Sequence, residues 1–240
     1  MVINADILRF AVKNKQFTRK ELIGYLEKHH PSVSSNAVSV QLNRLLISHE
    51  LIRLELGIYA LPDKSKTDFF IANTDDISQM SEQVKKQFPF IDFCVWNSKV
   101  IIPYMHHVPK LNCLFVDVKR DASEAVFNSL NTNPSKRVFL MPTQTDFDRY
   151  INGNEAVIVR PLVSEAPLHI IEGIPTPTIE KILVDMVGDV EFSFLQGVEM
   201  HSVYTNIFEK HKVNKNKIIR YATRRGRKEE VQQLLKDNNL

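Results

Sequence analysis

"SVSSNAVSVQLNRLLISHELIRLELGIYAL", residues 32–61, changes period half-way along, and that change decides how the first quarter of the chain folds. Val38, Leu42, Leu45 and Leu46 recur at spacings of three and four, which places them in one stripe along a helix. Ser34 or Ser35 stands where the N-cap of that helix is required. From Leu51 onward the pattern turns into two β-rich runs around Leu56-Gly57, the mark of a small hairpin. Upstream, Ile7, Leu8, Ala11 and Val12 have helical spacing over residues 4–12. Thr18 with Glu21 three residues later forms a capping box that opens a second helix, and Pro31 closes it.

Three short helices followed by a hairpin, over residues 3–62, resemble the winged helix-turn-helix. The resemblance implies that the third helix enters the major groove and the hairpin flanks it. Opposite its apolar stripe this helix carries Asn36, Val40, Asn43 and Ile47, with Ser39 and Arg44 at the margins. Ser34, Ser35, Asn36, Ser39, Asn43 and Arg44 are therefore the candidate DNA contacts. Asn suits adenine, and Arg suits guanine or phosphate. Glu55 at the wing departs from the basic residue a DNA-binding wing usually carries, and a winged helix used for protein contact is the competing reading.

The 240 residues are 43% apolar, enough to bury a sizeable core in one or two domains. The net charge of +3 is unevenly spread: residues 1–62 hold eight Lys/Arg against five Asp/Glu, residues 209–240 hold ten against four, and the remainder is acidic. Basic ends suggest an anionic partner, although an acidic middle could satisfy the tail within the chain. Cys94 and Cys113 lie in apolar runs and read as buried thiols, neither a disulfide framework nor a zinc site. The start has no signal-peptide pattern and no window is apolar enough for a membrane helix, so a cytoplasmic protein with no membrane association is expected.

Beyond a polar linker at 63–68 the pattern alternates. Residues 69–72, 91–96, 112–119, 137–141 and 155–161 read as strands, with helices between them at 75–88, 121–130 and 144–151. "IPTPTIEKILVDMVGD" (174–189) places Thr176 before Pro177 at a first helical position, and helices dominate from there on. The fold class expected is α+β: a winged helix-turn-helix, then a mixed α/β domain ending in helices.

Catalytic signatures are scarce. No Gly-rich phosphate loop, G-x-S-x-G, H-E-x-x-H or C-x-x-C occurs. One constellation remains: Asp92 on one strand, Asp117 and Lys119 two apart on the next, and Glu82 on the preceding helix, residue types a metal-dependent nuclease of the D…(D/E)-x-K kind would use. Solvated charges at strand ends are the alternative. His29-His30 and His106-His107 read as a helix end and a loop. No catalytic residue, metal ligand or cofactor is assigned.

The tail, "NKNKIIRYATRRGRKEEVQQLL" (214–235), sets Ile218, Ile219 and Ala222 on one helical face and Lys217, Arg220 and Arg224 on the other, flanked by Tyr221 and Arg225. Gly226 breaks this helix and "KEEVQQLL" starts another. Together with the winged helix, the α/β region and "RPLVSEAPLHIIEGIPTPTIEKILVDM" (160–186), this stretch looks like the AbiEi family of antitoxins from abortive-infection, type IV toxin–antitoxin systems of phage defence. The resemblance implies a transcriptional repressor of its own operon, with residues 1–62 on operator DNA and residues 69–240 counteracting a nucleotidyltransferase toxin encoded by an adjacent gene. It carries the DNA-contact role to Ser34, Ser35, Asn36, Ser39, Asn43 and Arg44 by helix position, and the basic C-terminal surface to Lys217, Arg220, Arg224 and Arg225, for toxin or nucleic-acid contact. A ligand-sensing winged-helix regulator and the nuclease are the rival readings.

Overall fold

The computed structural model describes residues 2–48, 50–62, 65–132, 136–195 and 197–240, without the side chains of Val2 and Glu55. The fold is α+β, in two compact units, 1–65 and 66–240.

In the first unit, α1 (Val2–Lys13), β1 (Phe17–Thr18), α2 (Arg19–His29) and α3 (Ser35–Ile47) precede the hairpin β2 (Ile52–Glu55) and β3 (Ile58–Ala60). The strands form one antiparallel sheet in the order β1-β3-β2, the winged-helix arrangement. Local chemistry sets the boundaries. The Thr18 hydroxyl accepts from the Glu21 amide at 3.2 Å while the Thr18 amide donates to the Glu21 carboxylate at 2.7 Å, so two orphan donors of α2 are satisfied reciprocally. Ser34 caps α3 by accepting from the Ala37 amide at 3.2 Å. Gly57, at φ +80°, supplies the left-handed residue the wing turn requires. Ile7, Phe17, Leu22, Leu26, Val38, Leu42, Leu45 and Leu51 close the core, so the stripe of α3 faces inward. Asp63 and Lys64 of the expected linker, and the Glu55 side chain on the wing, lie outside the described residues.

The second unit is built on a four-stranded sheet ordered β4-β5-β7-β6, from β4 (Phe93–Asn97), β5 (Asn112–Lys119), β6 (Val138–Leu140) and β7 (Glu155–Leu162). β4 runs antiparallel to β5, and β5, β7 and β6 are mutually parallel. α4 (Asp75–Gln87) packs on β4, and α5 (Ser123–Leu130) packs on the three parallel strands. Residues 144–151 form a short helical turn, α6 (Gln144–Asp146), running into a π-turn. The chain ends in α7 (Ile179–Gly188), α8 (Val198–Lys210), α9 (Lys215–Arg224) and α10 (Lys228–Asp237). Among the described residues no helix is long and apolar enough to cross a membrane.

Two expectations are corrected. Residues 69–72 form no strand; Ile71 is buried in the core while Phe70 stays exposed, so the run is apolar for packing rather than pairing. Pro177 is the last residue of a strand, not the first of a helix. Leu168–Ile171 (β8) and Ile174–Pro177 (β9) form a two-residue hairpin whose turn residues, Glu172 and Gly173, both have left-handed φ. The helix starts two residues later, at Ile179.

Candidate functional site

The outward face of α3 is the first candidate. Ser34, Ser35, Asn36, Asn43 and Arg44 are exposed, and Ser39 is half-buried. Arg19, at the first position of α2, lies against this face: its guanidinium donates to the Ser39 hydroxyl at 2.9 and 3.1 Å and to the Ser35 carbonyl at 3.0 Å, and it also reaches the Ser35 hydroxyl. The six candidates thus fall into two groups. Ser35 and Ser39 are engaged by Arg19, and Ser34 is spent on its cap, whereas Asn36, Asn43 and Arg44 make no side-chain hydrogen bond to a described residue. Arg19 brings a positive charge to the face that sequence reading overlooked, because it lies 16 and 20 residues away from the serines it reaches and only the packing of α2 on α3 brings them together.

The second candidate is α9 and what anchors it. Lys217, Arg220 and Arg224 are exposed, Arg224 pairing with Glu165 on the surface. Tyr221 and Arg225, expected at the border of that cationic face, turn inward instead. Tyr221 is buried and its hydroxyl donates to Asp185 at 3.0 Å, while Arg225 pairs with Asp189 and lies 3.6 Å from Asp185. Arg225 is therefore already bound within the chain. Asn214 caps α9 on the Lys217 amide, and its own amide donates to Glu180 of α7 at 3.0 Å.

What α9 docks on is a buried network of charges. Register pairing sets Asp117 of β5 beside Arg160 of β7, and their side chains are ion-paired. Lys181 and Asp185, one turn apart on α7, close the network: Lys181 Nζ lies 2.6 Å from both Asp117 and Asp185. Arg160 also reaches Asp185 at 3.0 Å and Asp189 at 2.8 Å, and its guanidinium sits 4.4 Å from the centroid of the Phe115 ring. Burial alone would raise the Asp117 carboxyl, but Arg160 and Lys181 outweigh it and hold that group below the usual carboxylate range. Burial pushes Asp189 and Glu191 up. The Cys94 thiol is likewise pushed well up by burial and by Asp117, and Cys113 is pushed up to about 12, so both are inert buried thiols. Sequence reading missed this network, yet it left a trace: "TIEKILVDM" is apolar all round except for Glu180, Lys181 and Asp185, and charges in a fully buried helix must be paired.

The nuclease-like constellation is not assembled. Asp117 faces inward with both carboxylate oxygens held by Arg160 and Lys181. Asp92 and Lys119 are exposed and line a cleft of about 890 Å³ at the C-terminal ends of β5 and β7, with Arg224 and His169. Of the histidine pairs, His29 Nδ1 lies 2.9 Å from the Tyr25 carbonyl and His30 pairs with Asp6, while His107, on an exposed loop, pairs with Glu199.

Residues 37–240 match the family described as a family of unknown function, DUF6577. The chain belongs to that family. The DUF6577 match begins inside α3 and takes in the wing and the whole of the second unit. No curated protein matches the chain.

Proposed function

We propose that this DUF6577 chain is a non-enzymatic, cytoplasmic DNA-binding autorepressor and antitoxin, in which residues 1–62 bind operator DNA and the second unit counteracts a nucleotidyltransferase toxin encoded beside it. The observation that carries the DNA-binding half is the α3 face, where the side chains of Asn36, Asn43 and Arg44 have no hydrogen-bond partner among the described residues and Arg19 is held on Ser35 and Ser39 of the same helix. A major-groove helix needs that chemistry: amide and guanidinium groups free to pair with base edges, over a base contributed by phosphate-seeking cations. The antitoxin half rests on the family resemblance and on the exposed Lys217, Arg220 and Arg224 of α9. The large cleft favours a ligand-sensing regulator as the second reading.

Three experiments test the proposal. The purified chain should retard DNA from upstream of its own gene in preference to unrelated DNA, and co-expression should restore growth to cells carrying the neighbouring toxin. Failure of the first removes the repressor, and failure of the second removes the antitoxin. Incubation with Mg²⁺ and nucleic acid should leave the nucleic acid intact; cleavage that disappears in Lys119→Ala would restore the nuclease reading.

A further inference from the structure

The outward face of α3 is polar except at two positions. Val40 is 50% exposed and Ile47 is 79% exposed, both on the side away from the core. Val40 occupies the middle of the face, one turn from Asn36 on one side and from Asn43 on the other. A β-branched residue is a poor choice for an exposed helix interior, since it loses side-chain freedom there and gains no burial in return. The position makes sense when the face is covered by something offering one small apolar group between hydrogen-bonding groups.

The major groove of DNA offers that pattern. The thymine methyl is the apolar group on its base edges, and asparagine is matched to the N6 and N7 of adenine. Asn36 and Asn43 are seven residues apart, about 10 Å along the helix axis, which corresponds to roughly three base-pair steps. The face carries no carboxylate, Arg44 is exposed at its margin and Arg19 lies against it, so charge favours a polyanion over a second protein surface. Engagement of Ser35 and Ser39 by Arg19 leaves Asn36, Val40 and Asn43 as the groups that project.

Resting on the DNA-binding reading above, we propose that α3 selects an A·T-rich half-site, with Val40 packed on a thymine methyl between adenines held by Asn36 and Asn43.

The test uses the full chain and double-stranded DNA selected from a random library. The selected site should be A·T-rich where α3 binds. Replacing thymines one at a time by deoxyuridine removes the methyl and nothing else; at one position this should weaken binding about fourfold, the worth of one buried methyl group. Val40→Ala, which removes both γ-methyl groups and shortens the side chain, should lose most of that sensitivity, and Val40→Thr, which keeps one γ-methyl, should retain it. A G·C-rich site, or equal affinity for thymine and uracil at every position, overturns the inference while leaving DNA binding intact. A chain that selects no sequence at all sinks the DNA-binding reading itself. Val40→Ala that dissociates a dimer in light scattering, with uracil sensitivity unchanged, makes the face a protein interface and also overturns it.

Discussion

Both α3 and α9 are amphipathic helices with an apolar stripe in the core and a polar face outward, and they commit that polar face in opposite ways. On α3 the charges are few: Arg44 projects, Arg19 reaches in from α2, and the amides of Asn36 and Asn43 are left free. On α9 the charges are many, but Arg225 is tied to Asp185 and Asp189, and Arg224 pairs with Glu165. Each helix therefore keeps only part of its polar face available: Asn36, Asn43 and Arg44 on α3, and Lys217 and Arg220 on α9. A basic stretch locates a partner only after the charges already satisfied inside the chain have been subtracted.

The largest effect that would break this contrast lies beneath α9. Asp117→Asn leaves Arg160 and Lys181 short of a buried counter-charge, which should cost about 3–5 kcal/mol in chemical denaturation. The same substitution should flatten the acid limb of the stability profile. Because Asp117 titrates below its usual range in the fold, its share of stability is present above about pH 4 and lost as pH falls. Asp189 and Glu191, raised by burial, act in the opposite sense: theirs is lost as pH rises through the raised values, and they partly offset the loss on the acid side. An unchanged profile in Asp117→Asn would mean that the network does not anchor the unit.

Next in size is the division within α9 itself. Arg225→Ala should destabilise the second unit by about 1.5–3 kcal/mol, the range for hydrogen bonds to charged groups, with thermal melting as the readout. Arg220→Ala should change stability by less than about 0.5 kcal/mol, as an exposed position does. Equal effects would erase the distinction between inward and outward cations. The double reversal Arg220→Glu with Arg224→Glu is also a small stability change, since it breaks one surface pair worth about 0–1 kcal/mol. It should leave DNA binding unchanged and yet abolish rescue from the toxin. Retained rescue would free this face from any antitoxin role.

How much of this was legible in the sequence follows from how local each feature is. The Thr18–Glu21 capping box, the stripe of α3 and the whole of β5 can be read directly, because three- and four-residue spacings or a short continuous apolar run determine them. The β8–β9 hairpin escaped because Pro175 and Pro177 argue against a strand, and only the Glu172-Gly173 turn betrays it. Residues 69–72 misled because an apolar run without a pairing partner has no marker of its own. On α9, Tyr221 sits at the border of the helical wheel, where spacing alone does not decide inside from outside; the buried carboxylate of Asp185 decides it. Arg160, Lys181 and Asp185 are remote in sequence from Asp117, and only the β5–β7 register and the docking of α7 bring them together. Arg19 was missed for the same reason.

Operator recognition stands or falls on the α3 face. The most direct measurement is the affinity of the Asn43→Ala, Arg44→Ala double variant for operator DNA and for unrelated DNA across a salt series, with circular dichroism to confirm an unchanged fold. A base contact at either position should cost about 1–3 kcal/mol of specific binding, so operator affinity should fall toward that for unrelated DNA, and a lost phosphate contact should reduce the salt slope by about one. Operator affinity and salt slope both equal to those of the unaltered chain would contradict the account and remove α3 from DNA recognition.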